Sequence, residues 1–140
     1  MLKTLVLAAE NFLSHQLGCS ATVTDRPEAM RTVIAYIDTE SQNGRHCRVY
    51  VACNEPLIAR IIACFLGEEE SDEATRTDMV LETANLVVGS AKVAARECQE
   101  LPFTIGTPHF VKEAPFDIPC DALRGVGADG LMMIIGIKEQ

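Results

Sequence analysis

The sequence predicts an α+β fold in which long helices pack on an antiparallel or mixed β-sheet. Two observations favour this class. Apolar residues recur with helical periodicity in three segments, and other segments alternate or run apolar as β-strands do. The order is helix, strands, helix, long helix, strands, so that a helix-then-strands plan occurs twice. We therefore expect a pseudo-duplicated architecture within a single domain that spans residues 1–140.

The first half begins with a predicted helix from about Lys3 to Leu17, which Gly18 ends. Three strands are predicted after it: a weakly marked one at 20–24, then 31–38 and 46–53. The last two flank Asn43-Gly44, a strong signal for a β-hairpin. We expect these two strands to be antiparallel neighbours.

The second half begins with two predicted helices. One runs from Glu55 to Leu66, with Pro56 in its first turn and Gly67 beyond its end. The long helix covers about Asp72 to Gln99, and Pro102 prevents it from continuing. The segments 103–111 and 131–138 then have the composition of strands, and the second is apolar enough to be buried.

Composition excludes several classes of partner. A net charge of −8 argues against binding to DNA, RNA or anionic membranes. No apolar run reaches the roughly 20 residues of a membrane-spanning helix, and the N-terminal run TLVLAA is too short for a signal peptide. The six cysteines form no CxxC pair, which predicts buried, reduced thiols in a cytoplasmic protein.

Two further patterns carry no predicted chemistry. Residues 125–130, GVGADG, match GxGxxG, but a strand-like run comes after them instead of the helix that a dinucleotide fingerprint needs. We interpret this segment as a flexible loop. His15, His46 and His109 have no cysteine or carboxylate at a metal-binding spacing, so no metal site is predicted.

The long helix carries a polar stripe that its helical propensity does not explain. At about 100° per residue, six residues fall within about 40° of one line. They are Asp78, Glu82, Asn85, Gly89, Lys92 and Arg96. The predicted buried face lies opposite and comprises Val80, Ala84, Val87, Val88, Ala91, Ala94, Ala95 and Cys98. Polar residues are ordinary on an outer helix face, but Asn85 and Gly89 are poor helix formers, glycine by about 1 kcal/mol. The stripe therefore has the properties of a docking surface.

At these positions the sequence resembles the CheX/CheC/FliY phosphatases, which dephosphorylate CheY-type response regulators in bacterial and archaeal chemotaxis. The resemblance rests on Asp78-x3-Glu82-x2-Asn85, on Gly89, and on Pro108. Asn85 and Pro108 are separated by 22 residues. CheC-like members typically carry two such motifs. The first helix has Glu10 beside Asn11 and no Glu-x2-Asn, so the chain is most similar to single-site CheX-like domains, which form homodimers.

The resemblance implies hydrolysis of an aspartyl phosphate on a partner response regulator. Asn85 would orient the attacking water, and Glu82 would pair with a lysine of the regulator. Asp78 would support either docking or the start of the helix, and Gly89 would let a partner's backbone approach closely. Pro108 would shape the segment after the helix without a catalytic role. The regulator would supply Mg²⁺, so this chain would bind no cofactor of its own.

The same residues are compatible with two alternatives. The domain could bind or sequester a response regulator through the same stripe without catalysis. It could also be a purely structural domain with no regulator partner, in which case changes along the stripe would alter neither binding nor activity. An asparagine at position 85 favours catalysis over the non-catalytic binding alternative, because binding alone could use almost any polar residue.

Overall fold

A computed structural model describes all 140 residues and confirms the predicted α+β class. Three helices occur: α1 (Leu2–Leu17), α2 (Glu55–Leu66) and α3 (Glu73–Glu97). Seven strands accompany them: β1 (Thr22–Thr24), β2 (Arg31–Ser41), β3 (His46–Asn54), β4 (Phe103–Ile105), β5 (His109–Pro115), β6 (Ala122–Ala128) and β7 (Leu131–Glu139).

The strands form one sheet in which every pairing is antiparallel. The order is β1-β6-β7-β3-β2, and β5 and β4 share the outer edge of β2. Exchanging β1 with β5, β2 with β6 and β3 with β7 leaves this order unchanged. The predicted pseudo-duplication is therefore visible in the topology, with its axis between β3 and β7.

All three helices cover one face of the sheet and enclose the main core. Strand residues that alternate toward this face include Val33, Val51 and Ile135, and each is fully buried. The opposite face has a much smaller buried cluster of Ile34, Tyr50, Ala52 and Ile134. One layer of helices on one sheet thus places the outer helix surfaces in solvent.

The helix ends agree with the local sequence. Gly18 and Gly67 end α1 and α2 in the left-handed conformation, at φ 68° in both cases, as predicted. The side chain of Asn54 accepts a hydrogen bond from the Leu57 amide and caps the start of α2. The bounds of α2 are those that the sequence predicts.

Three predictions need correction. The segment 103–111 is two strands, since β4 and β5 pair with different parts of β2. The first four residues of GVGADG belong to β6, and only Asp129-Gly130 forms a turn, which leads into β7. All six thiols are free, but only Cys53 is buried; burial raises the pKa of that thiol to about 12.

Candidate docking and catalytic site

The site is built on α3, and a capping hydrogen bond and an ion pair hold the first turn of this helix in place. Asp72 accepts a hydrogen bond from the Thr75 amide at 2.8 Å and caps the helix. One turn later Arg76 donates to the half-buried Glu113 carboxylate on β5 at 3.0 Å. These contacts hold the start of α3 against the sheet edge just before the polar stripe begins.

The buried face of α3 consists mostly of small side chains. It contains Met79, Val80, Thr83, Ala84, Val87, Val88, Ala91 and Ala95. The Thr83 hydroxyl donates to the Met79 carbonyl at 2.7 Å, so this buried polar group is satisfied within the helix. Six of the eight predicted core positions are confirmed. Ala94 is half-buried, and Cys98 is exposed because the helix ends at Glu97.

The predicted stripe faces solvent. Asp78, Glu82 and Asn85 are exposed, and none of the three side chains makes a hydrogen bond or ion pair within the chain. An exposed amide and an exposed carboxylate one turn apart, both without internal partners, are available to a second molecule. The structure therefore brings Glu82 and Asn85 onto one accessible surface.

Gly89 lies one turn beyond Asn85 and is half-buried. A Cβ atom built on Gly89 would meet no atom within 4 Å, so no packing within the molecule requires glycine there. The missing side chain leaves the helix backbone open to outside approach instead. That geometry fits the docking role predicted from the sequence.

Asn85 and Gly89 also line a shallow groove of about 490 Å³ between α3 and α1. The other lining residues are Asn11 from α1 and Leu86, Ser90, Val93, Ala94 and Glu97 from α3. Asp78, Glu82 and Pro108 do not line this groove. The predicted residues thus divide into a pair at the groove and a carboxylate pair on the outer surface of α3 before it.

Pro108 lies away from the stripe, in the connection between β4 and β5. It is half-buried, and the Gly106 amide near it donates to the Asp38 carbonyl of β2 at 2.8 Å. Proline offers no hydrogen-bond donor, and its neighbour Thr107 is restricted to extended conformations. Its position fits the shaping role predicted for it, at the edge of the sheet.

Six of the eight residues that line the groove were not predicted to belong to the site, and Asn11, Leu86 and Val93 are three of them. Asn11 comes from the other half of the chain, and nothing in the local sequence joins it to Asn85. Leu86 and Val93 are exposed by 37% and 57%. Their i, i+7 spacing places both at one edge of the outer face, a signal that a search for apolar residues outside the buried face would have found.

Neither a metal cluster nor a membrane span is found. No group of three or more His, Cys, Asp or Glu side chains is arranged to hold a metal ion. None of the helices combines the length and apolar character needed to cross a membrane.

Comparison with known proteins relates residues 33–127 to a family of chemotaxis proteins. The family model described as chemotaxis phosphatase CheX matches residues 33–127. A search of curated proteins finds no match.

Solved structures share the fold across nearly the full chain. The chemotaxis protein CheX of Vibrio vulnificus is 20% identical with a TM-score of 0.78, and the match covers 99% of this chain and 98% of that one. A CheC-like protein of Shewanella sp. PV-4 is 19% identical with a TM-score of 0.77, over 99% and 96% of the two chains. A CheX–CheY–BeF3–Mg²⁺ complex of Borrelia burgdorferi matches at 14% identity and a TM-score of 0.70, over 99% and 97%.

Proposed function

The chain belongs to the CheX family of chemotaxis phosphatases, and we propose that it accelerates hydrolysis of the aspartyl phosphate of a CheY-type response regulator. The observation that carries the proposal is the exposed pair of Glu82 and Asn85, which has no partner within the molecule and lies on a helix whose opposite face is buried. A CheX–CheY complex is known in one structural relative, which supports the class of partner.

In the proposed reaction, the water oxygen attacks phosphorus in line with the bond to the aspartyl oxygen. That bond breaks, and the products are a free aspartate carboxylate and inorganic phosphate. Asn85 orients the water through its amide, much as a glutamine does in GTPases. A neutral amide is suited to this task because a carboxylate would repel the anionic phosphoryl group. The regulator supplies Mg²⁺, so this chain needs none.

Glu82 fixes the register of docking in this scheme. Its carboxylate pairs with a lysine beside the phosphorylated aspartate, and Asn85 then projects toward the phosphoryl group from the next turn of α3. Gly89 and Asp78 lie along the same helix line and face the same partner. CheX-like domains form homodimers, and we propose the same assembly for this chain.

The direct test measures the decay of a phosphorylated CheY-type regulator with wild-type protein, Asn85→Ala and Glu82→Ala. We expect Asn85→Ala to lower the maximal rate by roughly 10²-fold, the size typical of losing one preorganised polar group. Glu82→Ala should mainly weaken regulator binding, because truncating one partner of a desolvated charge pair costs about 2–5 kcal/mol. Glu73→Ala, in the first turn of the same helix, is the matched control.

Loss of fold does not confound the asparagine variant. Alanine is a better helix former than asparagine, and the Asn85 side chain makes no internal hydrogen bond to lose. Wild-type rates with Asn85→Ala would refute the mechanism. Phosphate-dependent binding of the regulator without faster decay would instead identify the domain as a non-catalytic regulator-binding module.

A further inference from the structure

The groove between α1 and α3 extends beyond the part that Asn85 lines. A second depression of about 120 Å³ adjoins the first and shares Asn11, Leu86 and Ser90 with it. Its remaining lining comes entirely from α1 and comprises Ala8, Phe12, His15 and Gln16. Because three residues are common to both depressions, the two adjoin across the same pair of helices, and we call them together the α1–α3 groove.

The polar groups of the α1–α3 groove are uncommitted. Asn11 is exposed, and its amide makes no hydrogen bond within the chain. Asn85 faces the same groove from the other helix and is equally free. Two free amides from opposite walls can each offer a donor and an acceptor to an extended backbone between them.

Two exposed apolar side chains lie together in the α1–α3 groove, which distinguishes them from apolar residues scattered singly over the surface. Leu86 and Val93 lie two turns apart on α3, and both line the groove. Isolated exposed apolar residues are ordinary on protein surfaces. Here they share one concave wall with Asn85, so any partner that reaches Asn85 also removes them from water.

We propose that the α1–α3 groove is a second docking subsite for the same response regulator, with Asn11 as its positioning residue. This inference rests on the proposed function. The occupant is a surface segment of the regulator next to its phosphorylated aspartate. Its chemistry is an apolar side chain seated on Leu86 and Val93, with a backbone amide hydrogen-bonded to Asn11. Glu97, at the end of the groove lining, favours a basic residue on that segment.

Continuity with the catalytic position is the reason for this occupant. Asn85 and Gly89 belong to the groove lining, whereas Glu82 lies outside it. A regulator held only by Glu82 could pivot about α3, because one ion pair fixes one point. A second contact from α1 removes that freedom. Asn11 thereby acts on affinity and orientation and takes no part in the attack on phosphorus.

The test measures the initial rate of phosphorylated-regulator hydrolysis against regulator concentration. We expect Asn11→Ala and Val93→Ser each to raise the half-saturating concentration about 5- to 20-fold and to leave the maximal rate within about twofold of wild type. Ser14→Ala on α1 and Val23→Ser on the exposed edge of β1 are matched controls outside the groove. Both should keep the wild-type value. If Val93→Ser loses stability, Val93→Thr, which is close to valine in shape, is measured in its place.

The outcomes separate this inference from the proposed function. If Asn85→Ala abolishes hydrolysis while Asn11→Ala and Val93→Ser keep wild-type half-saturation, the groove subsite is wrong and the phosphatase stands. If wild-type protein binds the regulator without accelerating decay, the dissociation constant of the complex is measured instead of the half-saturating concentration. Asn11→Ala and Val93→Ser must then each raise that dissociation constant. If wild-type protein neither binds nor accelerates, both proposals fall.

Discussion

The two halves of the molecule share a plan but differ in how their helices are used. α1 packs on the sheet through large side chains such as Leu5, Phe12 and Leu13. α3 packs mainly through alanine and valine and extends for 25 residues against 16 for α1. Small buried side chains let a helix approach its support closely. The longer helix can therefore carry poor helix formers on its outer face.

The consequence is that the symmetry of the scaffold does not extend to its chemistry. α3 presents Glu82, Asn85 and Gly89 on its outer face, whereas the part of the groove that Asn85 lines receives only Asn11 from α1. The second half carries the proposed reacting groups, and the first half contributes one wall of the α1–α3 groove. α1 and α3 pack on the same hydrophobic core and differ in the side chains that they expose.

The largest expected effect tests whether the two halves are one cooperative unit. Leu5→Ala in α1 and Ile135→Ala in β7 each remove a fully buried side chain from the same core cluster. Each should lower the free energy of unfolding by about 2–5 kcal/mol. Urea titrations monitored by far-ultraviolet circular dichroism and by tyrosine fluorescence should give coincident transitions for both variants.

The control for this pair is Leu66→Ala, since Leu66 is 49% exposed at the end of α2. Its effect should stay within about 0.5 kcal/mol. Two separate transitions in either core variant would mean that the halves fold independently. The core that the two halves share in space would then not couple them energetically.

The features that the sequence predicted correctly arise from local pattern. The bounds of α2, the β2–β3 hairpin, the buried β7 strand and the outward stripe of α3 all depend on periodicity and turn chemistry within short windows. The candidate site could be proposed for the same reason, because Glu82, Asn85 and Gly89 lie on adjacent turns of one helix. Only Pro108 required a longer spacing.

The misses have physical causes that a local pattern does not contain. In β6, a Cβ on Gly127 would lie 2.3 Å from the Leu131 carbonyl oxygen, and one on Gly125 would lie 2.9 Å from the Met132 sulfur. Neighbouring atoms come so close to the backbone that only glycine fits at both positions. The segment therefore has the composition of a loop although it is a strand. The α1–α3 groove joins Asn11 to Asn85 through tertiary packing alone, so no spacing in the sequence indicates it.

A comparison of two glycines sharpens the distinction between structural and docking roles. Gly18 adopts φ 68° at the end of α1, so Gly18→Ala should lower the free energy of unfolding by about 1–2 kcal/mol. Gly89 is helical with open space around it, so Gly89→Ala should raise it by about 0.5–1 kcal/mol. The effects on regulator hydrolysis should differ from the effects on stability. Gly89→Ala should reduce hydrolysis because the added methyl group weakens docking, and Gly18→Ala should leave hydrolysis unchanged. Chemical denaturation and the hydrolysis assay check the two signs, and a Gly89→Ala protein that is both more stable and fully active would remove Gly89 from the docking surface.

The smallest expected effect concerns Asp78, one turn before Glu82 on the same line of α3. Asp78 is exposed and makes no ion pair within the chain, and we expect it to lie at the solvated rim of the docking surface. Exposed charge pairs contribute about 0.2–1 kcal/mol and are screened by salt. Asp78→Asn should therefore reduce hydrolysis less than about fivefold at low ionic strength, and the deficit should disappear in high salt. Asp25→Asn, an exposed aspartate after β1, is the control for net charge. A loss as large as that of Glu82→Ala, and one that persists in high salt, would instead place Asp78 in direct, desolvated contact with the regulator. The register of docking would then be set by two carboxylates on α3 rather than by Glu82 alone.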